Sequence, residues 1–317
     1  MTTIEWTQRP GTKGESWNPI RARHRETGKV GWFCTHASEG CRNCYAEAMN
    51  RWRGNGVRYR EQDRGKVDVF LDEDVLRKPR SWRKPRTVFV CSMTDLFDAG
   101  HSDEWLDRIF ARMARAQDHT FQILTKRPKR MAFFMRRLHR SVTTMQQSRC
   151  QFDRDYSNLS DAFPAMADAL VSKDVDWQAW PLPNVWLGTS VESRRDKPRI
   201  DDLRETPAAV RFVSFEPLLE DLGHLDLSGI HQVIAGFESG PRARRPDPDW
   251  VRPIRDLCVR ADIAFFFKQW GEWAPCPISE ADWVDPSTDV DPLALRRMGK
   301  RSSGALLDGR EWREFPG

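Results

Sequence analysis

The chain has 317 residues, 39% of them hydrophobic and 31% charged, with a net charge of +5 and a pI near 8.9. That much apolar material builds a substantial core and excludes wholesale disorder, and the length allows one large domain or two ordinary ones. No run of about 18 apolar residues occurs, which excludes a membrane-spanning helix, and the opening MTTIEWTQRPGTKGESWNP lacks the apolar stretch of a secretory signal, so a cytoplasmic protein without membrane partners is expected.

Taken in chain order, the first candidate element is a short strand near Val30–Phe33. Three of the seven cysteines follow within eleven residues, and AEAMNRW predicts a helix starting at about Cys44. Short apolar runs rich in β-branched and aromatic residues then recur as buried strands: Thr87–Cys91, Phe121–Thr125, Val185–Thr189, Arg211–Phe215, Gln232–Gly236 and Ile263–Phe267. Between them lie Ser102–Ala116, a helix with a capping-type SDEW start and apolar spacing at Leu106, Ile109, Phe110 and Met113. Pro128–Arg140 opens on proline, as first helical turns often do, and Pro248–Ala261 repeats that pattern.

Residues 141–183 break the alternation. They read as an insertion, a lid or substrate-facing element with a helix near Ser160–Ser172. Residues 1–273 are expected to form one barrel domain including this insertion, with 274–317 as an extension packed on it. Strands alternating with helices imply a parallel sheet, hence a partial or complete (β/α) TIM-type barrel, with an open doubly wound sheet as the competitor. Either places its site at the carboxyl ends of the strands. The residues there are Ser92 and Asp95, Lys126 and Arg127, Ser190 and Glu192, Glu216, Glu238, then Lys268 and Gln269. Some of these simply end strands in polar loops or form ion pairs under the rim.

The segment Cys34-Thr-His-Ala-Ser-Glu-Gly-Cys41-Arg-Asn-Cys44-Tyr45-Ala46-Glu47 carries the chemistry. Clustered cysteines in a reducing compartment serve metal or redox chemistry more often than disulfides. Thiolates suit iron–sulfur clusters and zinc. The close Cys41/Cys44 pair reaches one metal centre, and Gly40 lets the longer loop fold back to bring in Cys34. Three thiolates hold a four-iron cluster with one iron open. The rivals are a zinc site with His36 as fourth ligand, awkward because His36 follows Cys34 by only two residues, and three ordinary cysteines. Cys91 ends a buried strand, where cysteine is usually a small hydrophobe, and Cys150, Cys258 and Cys276 look structural or incidental. Two basic clusters, 77–86 and 126–140, read either as solvated surface or as phosphate contacts.

Eight blocks now combine: SWNP (Ser16–Pro19), CYAE (Cys44–Glu47), VFVCSMTDLF (Val88–Phe97), FQILTKRP (Phe121–Pro128), NVWLGTSVES (Asn184–Ser193), RFVSFEPLL (Arg211–Leu219), VIAGFESGPRARR (Val233–Arg245) and FFFKQWGEW (Phe265–Trp273). Together they resemble the three-cysteine-motif family of phage and bacterial proteins of largely unknown function, itself similar to radical S-adenosylmethionine enzymes and distantly to spore photoproduct lyase. The resemblance implies a [4Fe-4S] cluster on Cys34, Cys41 and Cys44. Its open iron would bind S-adenosylmethionine and generate a 5′-deoxyadenosyl radical that takes hydrogen from a substrate. Tyr45 would pack near the adenine, and Ser92, Thr94 and Asp95 would receive the α-ammonium. Ser190 and Glu192 would bind the ribose, Lys126 or Arg127 the carboxylate, and Glu216 further cofactor or substrate. Cys91, Lys268 and Glu238 are the candidates for catalysis on the substrate, Cys91 as a hydrogen-atom donor. A nucleic acid or nucleotide substrate and a reductant of the flavodoxin or ferredoxin class are implied. The first cysteine loop is longer than the commonest radical-enzyme spacing. The alternative function is non-catalytic, a metal-stabilised nucleic-acid-binding protein.

Overall fold

The structure, a computed structural model, describes residues 4–147, 152–172, 175–176, 178–275 and 295–317. The chain enters through strand β1 (Lys13–Trp17). It then forms a small antiparallel sheet from β2 (Ile20–His24), β3 (Val30–Gly31) and β4 (Val67–Leu71), with helix α1 (Tyr45–Arg53) between the last two. Helix α2 (Glu73–Arg77) leads to β5 (Arg86–Val90), α3 (Asp103–Ala114), β6 (Thr120–Thr125) and α4 (Pro128–Gln147). Two further helices, α5 (Phe152–Ala162) and α6 (Pro164–Leu170), precede β7 (Val185–Ser190), α7 (Pro198–Arg204), β8 (Val210–Phe215), β9 (Gln232–Gly236), α8 (Arg252–Arg260) and β10 (Ala264–Gln269).

The large sheet is parallel throughout, in the order β1-β5-β6-β7-β8-β9-β10, and curls into a half-barrel whose edges β1 and β10 do not meet. This is the partial form of the expected barrel. Its seventh strand is β1, not the candidate at Val30–Phe33, which belongs to the small sheet. The sequence KGESW hides β1 because only Trp17 of it is buried. An edge strand with one neighbour needs no apolar run. Ser102 caps α3 as its sequence suggests, accepting from the Trp105 amide. Pro128 opens α4 as expected, but the helix continues to Gln147, well past Arg140, because Leu138, Val142 and Met145 extend its buried stripe.

Alternation along each strand builds two layers. One face, including Val88, Val90, Phe121, Ile123 and Val213, packs beneath the helices. The other, concave face is filled by Phe89, Trp186, Phe212, Ile234 and Phe266 around Trp6, with Phe315 of the tail against them. Gly188 is obligatory there: a β-carbon on it would lie 2.5 Å from the Phe212 ring. The described part of the insertion packs on the outside rather than over the strand exits. Leu159, Phe163 and Met166 join the main core, and Asp107 of α3 accepts from the Ala165 and Met166 amides at 2.7 and 2.9 Å, capping α6. The expected lid is therefore part of the outer helical layer, because its apolar side chains find their partners on α3 and α4.

After β10 the chain forms β11 (Trp273–Pro275), β12 (Leu295–Arg297), a short helix α9 (Lys300–Ser303) and the hairpin β13 (Leu306–Leu307) with β14 (Arg310–Glu311). Residues 312–314 then run along the free edge of β10, where Phe267 N donates to Trp312 O and Glu314 N to Phe265 O. The tail thus covers an edge that would otherwise invite pairing. No helix of the described residues is long and apolar enough to cross a membrane.

Candidate functional site

The cysteine loop lies across the carboxyl ends of the parallel strands, and side chains from four strand exits hold it there. At the β5 exit, Thr94 Oγ1 donates to Phe33 O at 2.6 Å and the Tyr45 hydroxyl donates to Ser92 O at 2.6 Å. At the β6 exit, Arg127 donates to the Thr35 carbonyl at 2.9 Å and hydroxyl at 2.6 Å. At the β7 exit, Gly40 packs so closely on Glu192 that a β-carbon would lie 2.7 Å from its Cγ. Glycine is needed here for close approach rather than for the loop flexibility the sequence suggests. Beyond β9, Asn43 donates to Glu238 at 3.2 Å, and Arg244 bridges Glu238 and Glu39.

The charges under the loop are buried and paired. Asp95 accepts from Thr125 Oγ1, Phe97 N, Lys126 N and Arg127 Nη1, at 2.6 to 3.0 Å. A carboxylate offers about four such positions, so Asp95 has none left for a ligand ammonium. Its expected role gives way to anchoring the β5 and β6 exits. Asp98, three residues on, receives Arg64 at 2.9 Å, Arg127 at 3.0 Å and Thr35 at 2.7 Å. Burial pushes the Asp98 carboxyl up, but the bonds from Arg64, the Gly100 amide and Thr35, with the Arg127 charge, outweigh it and hold the group well below the ordinary carboxylate range. Glu192 is 0% exposed, pairs with Lys126, and lies 3.0 Å from Arg199. Burial lowers the Lys126 pKa, opposed by the nearby Cys41 thiol.

Cys34 and Cys44 are half-buried and Cys41 is buried; all three are free thiols. Burial raises the pKa of Cys34, with the Asp95 charge adding to it, and burial likewise raises that of Cys44. Arg127 opposes this at Cys34 and Lys126 at Cys44. Cys44 also caps α1, so the positive end of that helix begins at the thiols. His36 does not join them: its Nε2 is 2.8 Å from Glu47 Oε2. Among the described residues no group of three or more histidine, cysteine or acidic side chains is placed to hold a single metal ion. The zinc set Cys34–His36–Cys41–Cys44 is thus not assembled. A four-iron cluster asks for less, since each thiolate takes a different iron.

The remaining expected residues fall into two groups. Tyr45 keeps 52% of its surface exposed at the mouth. Burial of its hydroxyl, then the Cys44 and Glu216 charges, raise its pKa. Lys268 and Glu216, from the exits of β10 and β8, face each other at 2.8 Å and stay partly open to solvent. Glu238, by contrast, is held by Asn43 and Arg244, and Ser190 offers its carbonyl to Arg199. Ser92 exchanges hydrogen bonds with Asn18. Gln269 donates to Phe237 O. Cys91 is buried with a left-handed backbone, φ 56°, and burial followed by the Asp95 charge raises its pKa. Cys258 is buried in the main core, whereas Cys150 and Cys276 lie outside the described residues.

The sequence did not single out Thr35, Asn43, Asp98, Arg199 or Arg244. No periodicity marks them, and RRDKPR around Arg199 reads as surface charge. The two basic clusters also separate. Residues 77–86 precede β5 and sit at the amino end of the sheet, opposite the cysteines. In 126–140, Arg127, Arg130, Arg136 and Arg137 are neutralised by Asp95, Asp103 and Glu205.

The fold and this site define an α/β half-barrel protein with a cysteine loop clamped over the carboxyl ends of its strands. The family model described as "Protein of unknown function (DUF5131)" matches residues 1–316, and the chain belongs to that family. No curated protein and no solved structure matches it.

Proposed function

We propose that the protein is an iron–sulfur enzyme of the radical S-adenosylmethionine kind, acting on a nucleic acid or nucleotide. The observation that carries this reading is the docking of the three-cysteine loop across the exits of β5, β6, β7 and β9, where a parallel α/β sheet places its chemistry. The donor set fits: three thiols sit beside Lys126, Arg127 and Arg199 and at the start of α1, a setting that favours an anionic cluster. Metal coordination deprotonates a thiol outright, which offsets the raised pKa values of Cys34 and Cys44.

Cys34, Cys41 and Cys44 would hold the cluster, which supplies an open iron and one electron for breaking a carbon–sulfur bond of the bound sulfonium. A reductant of the flavodoxin or ferredoxin class replaces the electron. Asp95, Asp98, Glu192 and Glu238 act as positioning residues that fix the loop. Tyr45, Glu216 and Lys268 retain reachable atoms at the mouth, so they are the residues we assign to contact with cofactor and substrate. Cys91 lies too deep to serve as a donor to a substrate in this arrangement.

The test is anaerobic purification with iron and sulfide analysis, visible absorbance, and reduction by dithionite with S-adenosylmethionine. Expected are a brown protein near four irons per chain and release of 5′-deoxyadenosine, both lost in Cys41→Ala. A colourless protein carrying stoichiometric zinc, or a cluster that never cleaves the cofactor, would refute the proposal.

A further inference from the structure

The positive charge is unevenly placed. Residues 20–71 hold eleven lysines and arginines against six acidic residues, a surplus equal to the +5 of the whole chain, so the rest is neutral overall. This segment comprises the small sheet, the cysteine loop and α1. Five of its cations meet acids: Arg21, Arg25, Arg42, Arg64 and Lys66. The other six, Arg23, Lys29, Arg51, Arg53, Arg58 and Arg60, are exposed, with no acid at ion-pair distance among the described residues.

A cleft of about 400 Å³ opens between the β2–β3 turn and the segment after α1, a size within the usual range for ligand sites. Lys29, Arg58 and Lys66 line it, and its one acid, Asp63, is held by Lys66 at 2.6 Å. Its wall is fixed. Buried Asn55 donates to Ala22 O and Trp32 O at 3.0 and 3.1 Å, and accepts from Asn50 Nδ2 and Val57 N at 2.8 and 3.0 Å. On α1, Trp52 is 76% exposed with the Arg53 guanidinium 4.1 Å from its ring centre. Arg53 covers one face of the indole, and the other, open face suits stacking of a base while the cations take phosphates.

We propose that residues 20–71 form a binding surface for single-stranded nucleic acid, with backbone phosphates in the Lys29/Arg58 cleft and a base on Trp52. An acidic peptide would use the cations but not the indole, and a duplex keeps its base faces stacked away from it. The proposal rests on the reading above for the substrate class and names where that substrate is held. Trp52 stands eight residues along α1 from Cys44, about 12 Å, a few nucleotides of backbone.

The experiment is fluorescence anisotropy of the full chain with a labelled oligothymidylate about 16 nucleotides long, over a salt series. Neutralising three phosphates gives a log–log salt slope of about −2. Lys29→Glu with Arg58→Glu should weaken binding at least about tenfold and flatten the slope toward about −1. Trp52→Ala should weaken it by about five- to hundredfold, the range of one lost stacking contact. Arg80→Glu with Lys84→Glu, at the far end of the sheet, should leave binding within about twofold, since phosphate contacts act only where the backbone lies. Thermal unfolding by circular dichroism checks that each variant folds. Absence of binding at low salt, equal weakening by the Arg80/Lys84 pair, preference for duplex, or equal competition by polyglutamate would each overturn the proposal. Cys41→Ala should still bind. Retained binding without cofactor cleavage in the wild type overturns only the catalytic reading, and cleavage without binding overturns only this one.

Discussion

The two ends of the half-barrel differ in kind. The amino-terminal side of the concave face is closed by aromatic rings, with Trp6 4.7 Å from Phe89 and 6.0 Å from Phe212. The carboxyl-terminal mouth is closed by a loop held through buried ion pairs and hydrogen bonds. One end is stabilised by non-directional burial, the other by directional contacts that lose value when a single partner is missing. The same sheet therefore offers a rigid floor and a loop whose position depends on a few charges. That division suits a site in which position matters more than stability.

Two substitutions of similar size separate these mechanisms. Phe212→Ala should lower stability by about 3 to 5 kcal/mol through a cavity, seen in denaturant unfolding, with the thiols of the native state still shielded. Arg127→Met should destabilise by about 3 to 5 kcal/mol, because it leaves Asp95 and Asp98 buried without their shared cation. It should also raise the reactivity of Cys34 toward a thiol reagent under native conditions. Equal thiol protection in both variants would break the comparison. Asp107→Ala removes the acceptor for two α6 amides and should cost about 1 to 3 kcal/mol, with faster hydrogen exchange confined to the insertion.

Acid should act on the mouth before the floor. Asp98 is depressed below the unfolded carboxyl value of about 3.9. Its contribution is therefore present above about pH 4 and is lost as pH falls through the folded value. Wild-type protein should lose more stability between about pH 4 and about pH 2 than Asp98→Asn, which starts lower and changes less. An identical pH dependence in the two proteins would remove Asp98 from the account. The smallest effect is expected at the exposed Lys84: Lys84→Ala should change stability by less than about 0.5 kcal/mol.

Much of the architecture was legible in the chain. Six of the seven strands of the large sheet announce themselves as buried β-branched or aromatic runs, because a parallel strand covered on both faces needs them. The capping serine of α3 and the start of α1 at Cys44 also follow from local chemistry. β1 was not legible, since KGESW buries only Trp17, and the insertion's place was not, since an amphipathic helix states that it packs but not on what. The candidate site divides the same way. The cysteine spacing and the polar strand exits mark residues of interest, but only the folded chain distinguishes Asp95 and Glu238, whose acceptors are filled, from Lys268, Glu216 and Tyr45, which remain accessible.

The sequence by itself determined the periodicity, hence the parallel α/β sheet, and the soft-ligand character of the Cys34–Cys44 loop, because both depend on residue type and short spacing. The tertiary structure alone decided which charges are shared, as when Arg127 joins Asp95, Asp98 and Thr35. It also decided that six cations of residues 20–71 have no acid at ion-pair distance among the described residues, and that the Trp52 indole is 76% exposed. The Arg127 pairs join residues about thirty positions apart, and no local pattern encodes their distance, unlike i,i+3 pairs such as Lys66 with Asp63.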